Sequence, residues 1–208
     1  MTVDGAHDHQ ATARKVRNSG DFNKAGERFT AAAYEWWGVQ PRDGFGTYIA
    51  NGNYDLLNAA ICYMVAGKED RGENRCKQGV LVADDMHQWV HENTDPSYEY
   101  DRARRGAWKE FVGDFRTISG DEEAAAEAYD EAQSIYEIAS GIDLEMVDRE
   151  QRWLIQFYED LIRGAGGNVE DWYDQKAKLT LSQWIDHKRI HLPRYYDWLL
   201  EKGKWTTA

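Results

Sequence analysis

Phe22, Ala25, Phe29, Ala32, Ala33 and Trp36 are apolar and recur every three or four residues, with Asn23, Lys24, Glu27 and Arg28 between them. That period puts the six on one side of a helix and the polar residues on the other. The stripe needs a second helix to cover it. Just upstream, Gly20-Asp21 punctuates two helical stretches: the glycine can take the left-handed turn that ends one helix, and the aspartate can accept from the open amides of the next. The segment therefore predicts a helix, a tight turn and a helix.

The same grammar returns one hundred positions later. Gly120-Asp121 precedes Ala125, Tyr129, Ala132 and Tyr136, and follows a segment from about Pro96 that carries Trp108, Phe111, Phe115 and Ile118. A weaker copy lies between the two, with Gly67, Gly72, Cys76 and Gly79 standing where the outer copies have their turn glycine and their small, aromatic and small residues. The turn glycines of the three units fall about 47 and 53 residues apart. A small residue, a bulky one four positions on and a small one three further share one helical face, so two helices can approach closely while the ring fills the gap.

These residues resemble the tetratricopeptide repeat. Leu56, Ala59, Ala60, Tyr63 and Gly67 match its first helix and turn, while Gly20, Ala25, Phe29, Ala32 and Gly120, Ala125, Tyr129, Ala132 match its turn and second helix. The resemblance covers roughly residues 10–140, with units longer than the family period of about 34, Cys76 in place of the second-helix aromatic and no unit-ending proline. It implies an all-α fold: a right-handed array of antiparallel helical hairpins, three to four units long. Beyond Gly141, Leu144, Val147, Trp153, Leu154, Phe157, Tyr158 and Leu161 mark another helix, ended by Gly164-Ala165-Gly166-Gly167. The aromatic-rich stretch from Trp172 to Trp205 carries no repeat pattern, so 141–208 is expected to form C-terminal helices that cap the array within one domain of residues 1–208. Val39 to Asp55, with Pro41, Gly44, Gly46 and Gly52, is expected to be the longest irregular loop.

A formal net charge of −12, from 37 acidic and 25 basic residues, repels a phosphate backbone and argues against a nucleic-acid partner. The acidic excess resembles that of cytoplasmic proteins of salt-loving microbes, and equally suits an acidic protein of a mesophile, kept in solution by its charge. No stretch approaches the roughly 18 apolar residues of a membrane span, and MTVDGAHDHQ has neither a basic nor an apolar region, so the expected location is the cytoplasm, without a membrane partner. Cys62 and Cys76 lack a CxxC spacing and read as small core residues.

All six histidines form close pairs: His7 and His9, His87 and His91, His187 and His191. The HxxxH spacing of the last two pairs puts both imidazoles on one helix face, where they could share a metal, with Asp84 adding a carboxylate beside His87. Neither pair sits in an HExxH frame, and solvated or helix-capping imidazoles remain the other reading; His191, just before Leu192-Pro193, is expected near a helix end. No GxSxG motif is present, and the Gly164–Gly167 cluster lacks the strand and lysine of a phosphate loop. The acidic pairs Asp84-Asp85 and Glu122-Glu123 favour a helix dipole.

The resemblance therefore implies a non-catalytic module, without a cofactor or metal, that binds a protein or peptide in a groove lined by first-helix side chains. Arg14, Arg17, Asn58, Arg105 and Lys109 lie on expected first helices and off their apolar stripes, and are the candidate peptide contacts. Two alternatives stay open: a metal-binding helical protein, with hydrolysis as its candidate chemistry, using His87 and His91, and a homodimer formed through the Trp172–Trp205 region.

Overall fold

The three turn glycines do what their spacing demands. Gly20, Gly67 and Gly120 take φ of 88°, 66° and 77°, a region in which a Cβ would be strained. Each lets the following amide reach back to a carbonyl five residues earlier: Asp21 to Val16, Lys68 to Tyr63 and Asp121 to Arg116, at 3.2, 2.8 and 3.0 Å. Asp21 and Asp121 then cap the next helices by accepting from Lys24 N and Ala124 N. Hairpin one is α1 (Val3–Asn18) with α2 (Phe22–Gly38), hairpin two is α3 (Phe45–Val65) with α4 (Glu69–Asn93), and hairpin three is α5 (Glu99–Ser119) with α6 (Glu122–Ile138).

The computed structural model describes residues 1–39, 45–139, 141–147 and 149–206, all-α with neighbouring helices packed in chain order from α1 to α6. Small residues set the close approaches. A Cβ on Gly79 of α4 would stand 2.1 Å from the ring of Phe115 on α5, and one on Gly113 would stand 2.5 Å from the ring of Tyr129 on α6. Phe29, Ala32, Ala33, Trp36, Tyr129, Ala132 and Tyr136 are buried, as their stripes require, and so are both cysteines. Burial pushes both thiols up to about 12.

The expected loop from Val39 to Asp55 is corrected in its second half. Residues 45–55 are the first turns of α3, and residues 40–44 lie outside the described residues. Gly46 and Gly52 act there as close-packing positions, against Glu150 and Trp37, and not as breakers.

After the 3₁₀ turn Leu144–Met146, the C-terminal third forms α7 (Arg149–Gly164), the short α8 (Val169–Lys176) and α9 (Leu181–Lys202). These helices do more than cover the last hairpin. The first, α7, lies along α3 and α5, while α9 contacts α6, α5, α3 and α7. One apolar cluster consequently runs from Ala33 to Leu199. Nor does a helix end near His191: α9 continues through Pro193 to Lys202. The proline forfeits one amide bond, and Leu192, Tyr196 and Leu199 hold the helix by burial on either side of it. Among the described residues no helix is long and apolar enough to cross a membrane.

Candidate functional site

Two charges interrupt the apolar stripe of α5. Glu110 and Asp114 alternate with Phe111 and Phe115, and all four side chains are fully buried. The matching interruption on α9 is Lys188, also 0 % exposed. Its Nζ donates to Glu110 Oε1 at 2.7 Å and to Asp114 Oδ2 at 2.6 Å. Tyr136 OH and Trp184 Nε1 also donate to Glu110, at 2.8 and 2.7 Å, and Tyr129 OH donates to Asp114 at 2.7 Å. Two carboxylates and one ammonium leave this interior with an excess acid group. Burial accordingly pushes the Asp114 carboxyl up to about 6, against the pull of Lys188. Tyr129 is raised as well, by burial and by the carboxylate it faces. The arrangement ties α5, α6 and α9 together.

Tyr129 also forms a wall of a cleft of about 650 Å³ between the start of α4, the α5–α6 turn and the second half of α9. Ile118, Ala125, Pro193 and Leu200 supply apolar surface, and Tyr196, whose hydroxyl donates to the Ile118 carbonyl at 3.0 Å, fixes the floor. Glu69, Glu73, Glu122 and Asp197 stand around it, against a single cation among the described lining residues, Arg189, already bound to Asp130. Lys77 reaches Glu73 at 3.3 Å.

The five residues expected to contact a peptide fall into two groups. Arg14, Arg17 and Asn58 meet at the α1–α3 seam: Arg14 donates to Tyr54 OH at 3.0 Å and Arg17 to Asn58 Oδ1 at 2.8 Å. Tyr54 OH in turn donates to Asp160 of α7 at 2.5 Å, and the Trp205 ring lies 3.6 Å from the Arg17 guanidinium. Arg17 and Asn58 are both buried, and the chain's own Trp205 lies over Arg17. Beside them, Asp55 accepts from Gln10 and Trp36, both at 3.0 Å, and burial raises its carboxyl to about 7. Arg105 and Lys109 lie on another seam, facing α4. Arg105 reaches the His91 carbonyl at 3.5 Å, and Lys109 bridges Asp84 and Glu131 at 3.3 and 2.8 Å.

Three of the histidines, His7, His187 and His191, pack against other rings. His7 meets Trp36 edge-on, and His87 Nδ1 lies 3.1 Å from the Arg105 carbonyl. His187 packs among Tyr158, Trp172 and Trp184, stacks on His191 with centroids 4.3 Å apart, and places its Nε2 2.9 Å from Tyr158 OH, while His191 also faces Tyr195. Burial and the neighbouring His191 lower the His187 imidazole to about 4. Among the described residues no three His, Cys, Asp or Glu side chains converge to hold a metal ion.

Comparison with family models, curated proteins and solved structures gives no match for this chain. Sequence reasoning missed the Lys188 centre and the cleft. For the first, a signal existed: charges at core positions of two apolar stripes. For the second there was none, because its walls come from five separate helices.

Proposed function

We propose that the chain is a non-catalytic binding module, a tetratricopeptide-like array acting as a cytoplasmic adaptor, and that it takes a short basic segment of a partner protein in the cleft beside α9. One observation carries this reading: an apolar floor ringed by four carboxylates and one already paired guanidinium. A volume of about 650 Å³ accommodates one or two side chains. The charge balance selects a lysine or arginine beside an apolar residue, and rim carboxylates of this kind speed encounter and reject acidic competitors. We favour this cleft over a groove along the first helices because Arg17 and Asn58 are buried, with Trp205 lying against the Arg17 guanidinium.

The test uses a fluorescein-labelled peptide of alternating leucine and lysine, with a leucine–glutamate peptide as control. The lysine peptide should raise the anisotropy saturably and lose affinity with added salt. Glu122→Gln and Asp197→Asn should each weaken it roughly two- to fivefold. Equal binding of both peptides, or no change in the rim variants, would overturn the reading.

A further inference from the structure

Past the end of α9 the chain turns back onto hairpin one. Gly203 takes a left-handed φ of 57°, Lys204 Nζ lies 5.8 Å from the centre of the Trp198 ring, and Thr206 N donates to the Gly164 carbonyl at 2.8 Å. Between them, Trp205 enters a slot. One wall is the Arg17 guanidinium, 3.6 Å from the ring centre and backed by Phe29 at 5.4 Å. The other wall is the bare Cα of Gly164, where a Cβ would stand 2.3 Å from the indole. Asn58 fixes the guanidinium through its Oδ1, and Arg17 Nε is buried with no hydrogen-bond partner among the described residues. None of these residues lines the cleft beside α9.

We propose that this slot is a second binding site, for an extended peptide segment carrying a tryptophan, occupied in cis by Gly203–Thr206 and open to a partner when that segment swings out. A planar guanidinium backed by an aromatic face selects a flat ring over an aliphatic chain. The Gly164 carbonyl requires a backbone N–H one residue further on, which any extended segment supplies. The free Arg17 Nε–H calls for an acceptor that the cis segment leaves unmet, so a partner contributing a carbonyl or carboxylate there has an advantage over it. The cis segment hinges on a glycine and is held, among the described residues, by the Trp205 ring, the Lys204–Trp198 contact and one backbone bond, with no buried charge pair, which places it among the parts of the fold that open first. While docked it blocks the slot at the high effective concentration of a tethered ligand.

The experiment uses the full chain carrying Trp205→Ala and, as probe, fluorescein-labelled GKWTTA, the chain's own residues 203–208. The peptide should bind this variant saturably and raise its melting temperature, while the unsubstituted chain binds it at least tenfold more weakly, roughly as a tethered competitor dictates. GKATTA should not bind. Adding Gly164→Ala, which fills the slot from its far wall, should abolish binding without touching Arg17. If Trp205→Ala does not fold, Trp205→Leu, which keeps apolar contact but no stacked ring, carries the same test. Failure of GKWTTA to bind a folded variant, equal binding to the unsubstituted chain, or equal binding of GKATTA would overturn the proposal.

Discussion

Replacing Lys188 with methionine preserves most of its volume and removes its charge. Two hydrogen bonds, of 2.7 and 2.6 Å, disappear from a site with no exposure. Glu110 keeps its donors Tyr136 and Trp184, whereas Asp114 keeps, among the described residues, only Tyr129, so Asp114 is left the more poorly compensated. Breaking a buried pair from one side costs about 3–5 kcal/mol. For a chain of this size that is a fall of roughly 6–20 °C in melting midpoint. The loss should depend on pH. Asp114 is raised in the folded state, to about 6 from 3.8, so its contribution is complete below 3.8 and disappears as pH rises through about 6. Without the ammonium, proton uptake becomes more favourable, and Lys188→Met should lose less at about pH 5 than at about pH 8. Urea unfolding followed by far-ultraviolet circular dichroism at both values measures this. The triple variant Glu110→Gln, Asp114→Asn, Lys188→Met should recover about 2–4 kcal/mol over the single one at the higher pH, since no uncompensated charge is left inside. A Lys188→Met chain within about 1 kcal/mol of the original at the higher pH would refute the reasoning.

Three further outcomes follow from the packing and the titrations. Asp55, raised to about 7 by burial, contributes fully below 3.8 and loses that contribution as pH rises through about 7; Asp55→Asn, with the Gln10 amide turned over, should gain roughly 1–3 kcal/mol at about pH 8, measured by urea unfolding. His187 has the opposite sign: lowered to about 4 by burial, its contribution is present above 6.5 and lost as pH falls toward 4, so His187→Phe should tilt the stability–pH profile oppositely to Asp55→Asn, and parallel profiles would contradict both assignments. Gly79→Ala forces a methyl group into the buried Phe115 ring and should cost about 1–3 kcal/mol in thermal unfolding, whereas Gly120→Ala has nothing within 4 Å and should cost only the strain of its φ of 77°, about 1 kcal/mol.

The three hairpins were readable because their signals are local. Gly20 and Asp21 act within one turn of each other, and so do Gly120 and Asp121, so the sequence alone places both corners. At 45–55 the residues Gly46, Asn51, Gly52 and Asn53 have turn chemistry, but the partners that make them helical are Trp37 and Glu150, the second far along the chain. The same distance hid the ionic centre: Lys188 lies 78 positions from Glu110, and nothing nearby marks it except its place in an apolar stripe. Arg17 and Asn58 were correctly placed on neighbouring first helices, but the cover of Arg17, Trp205, comes from the far end of the sequence.

The lie of α7 and α9 has a consequence for how the molecule is made. Each hairpin joins helices adjacent in the chain and can close while later residues are still being added. Tyr54 must wait for Asp160, 106 positions on, and Asp114 for Lys188, 74 positions on. Until the last third has been synthesised, the polar face of α3 and the two acids of α5 stay wet, and their desolvation is deferred to a single late docking event. Loop closure over such separations is slow compared with hairpin formation. Refolding should therefore show early gain of helix, followed by a distinct later phase in which the fluorescence of Trp184 and Trp205 changes.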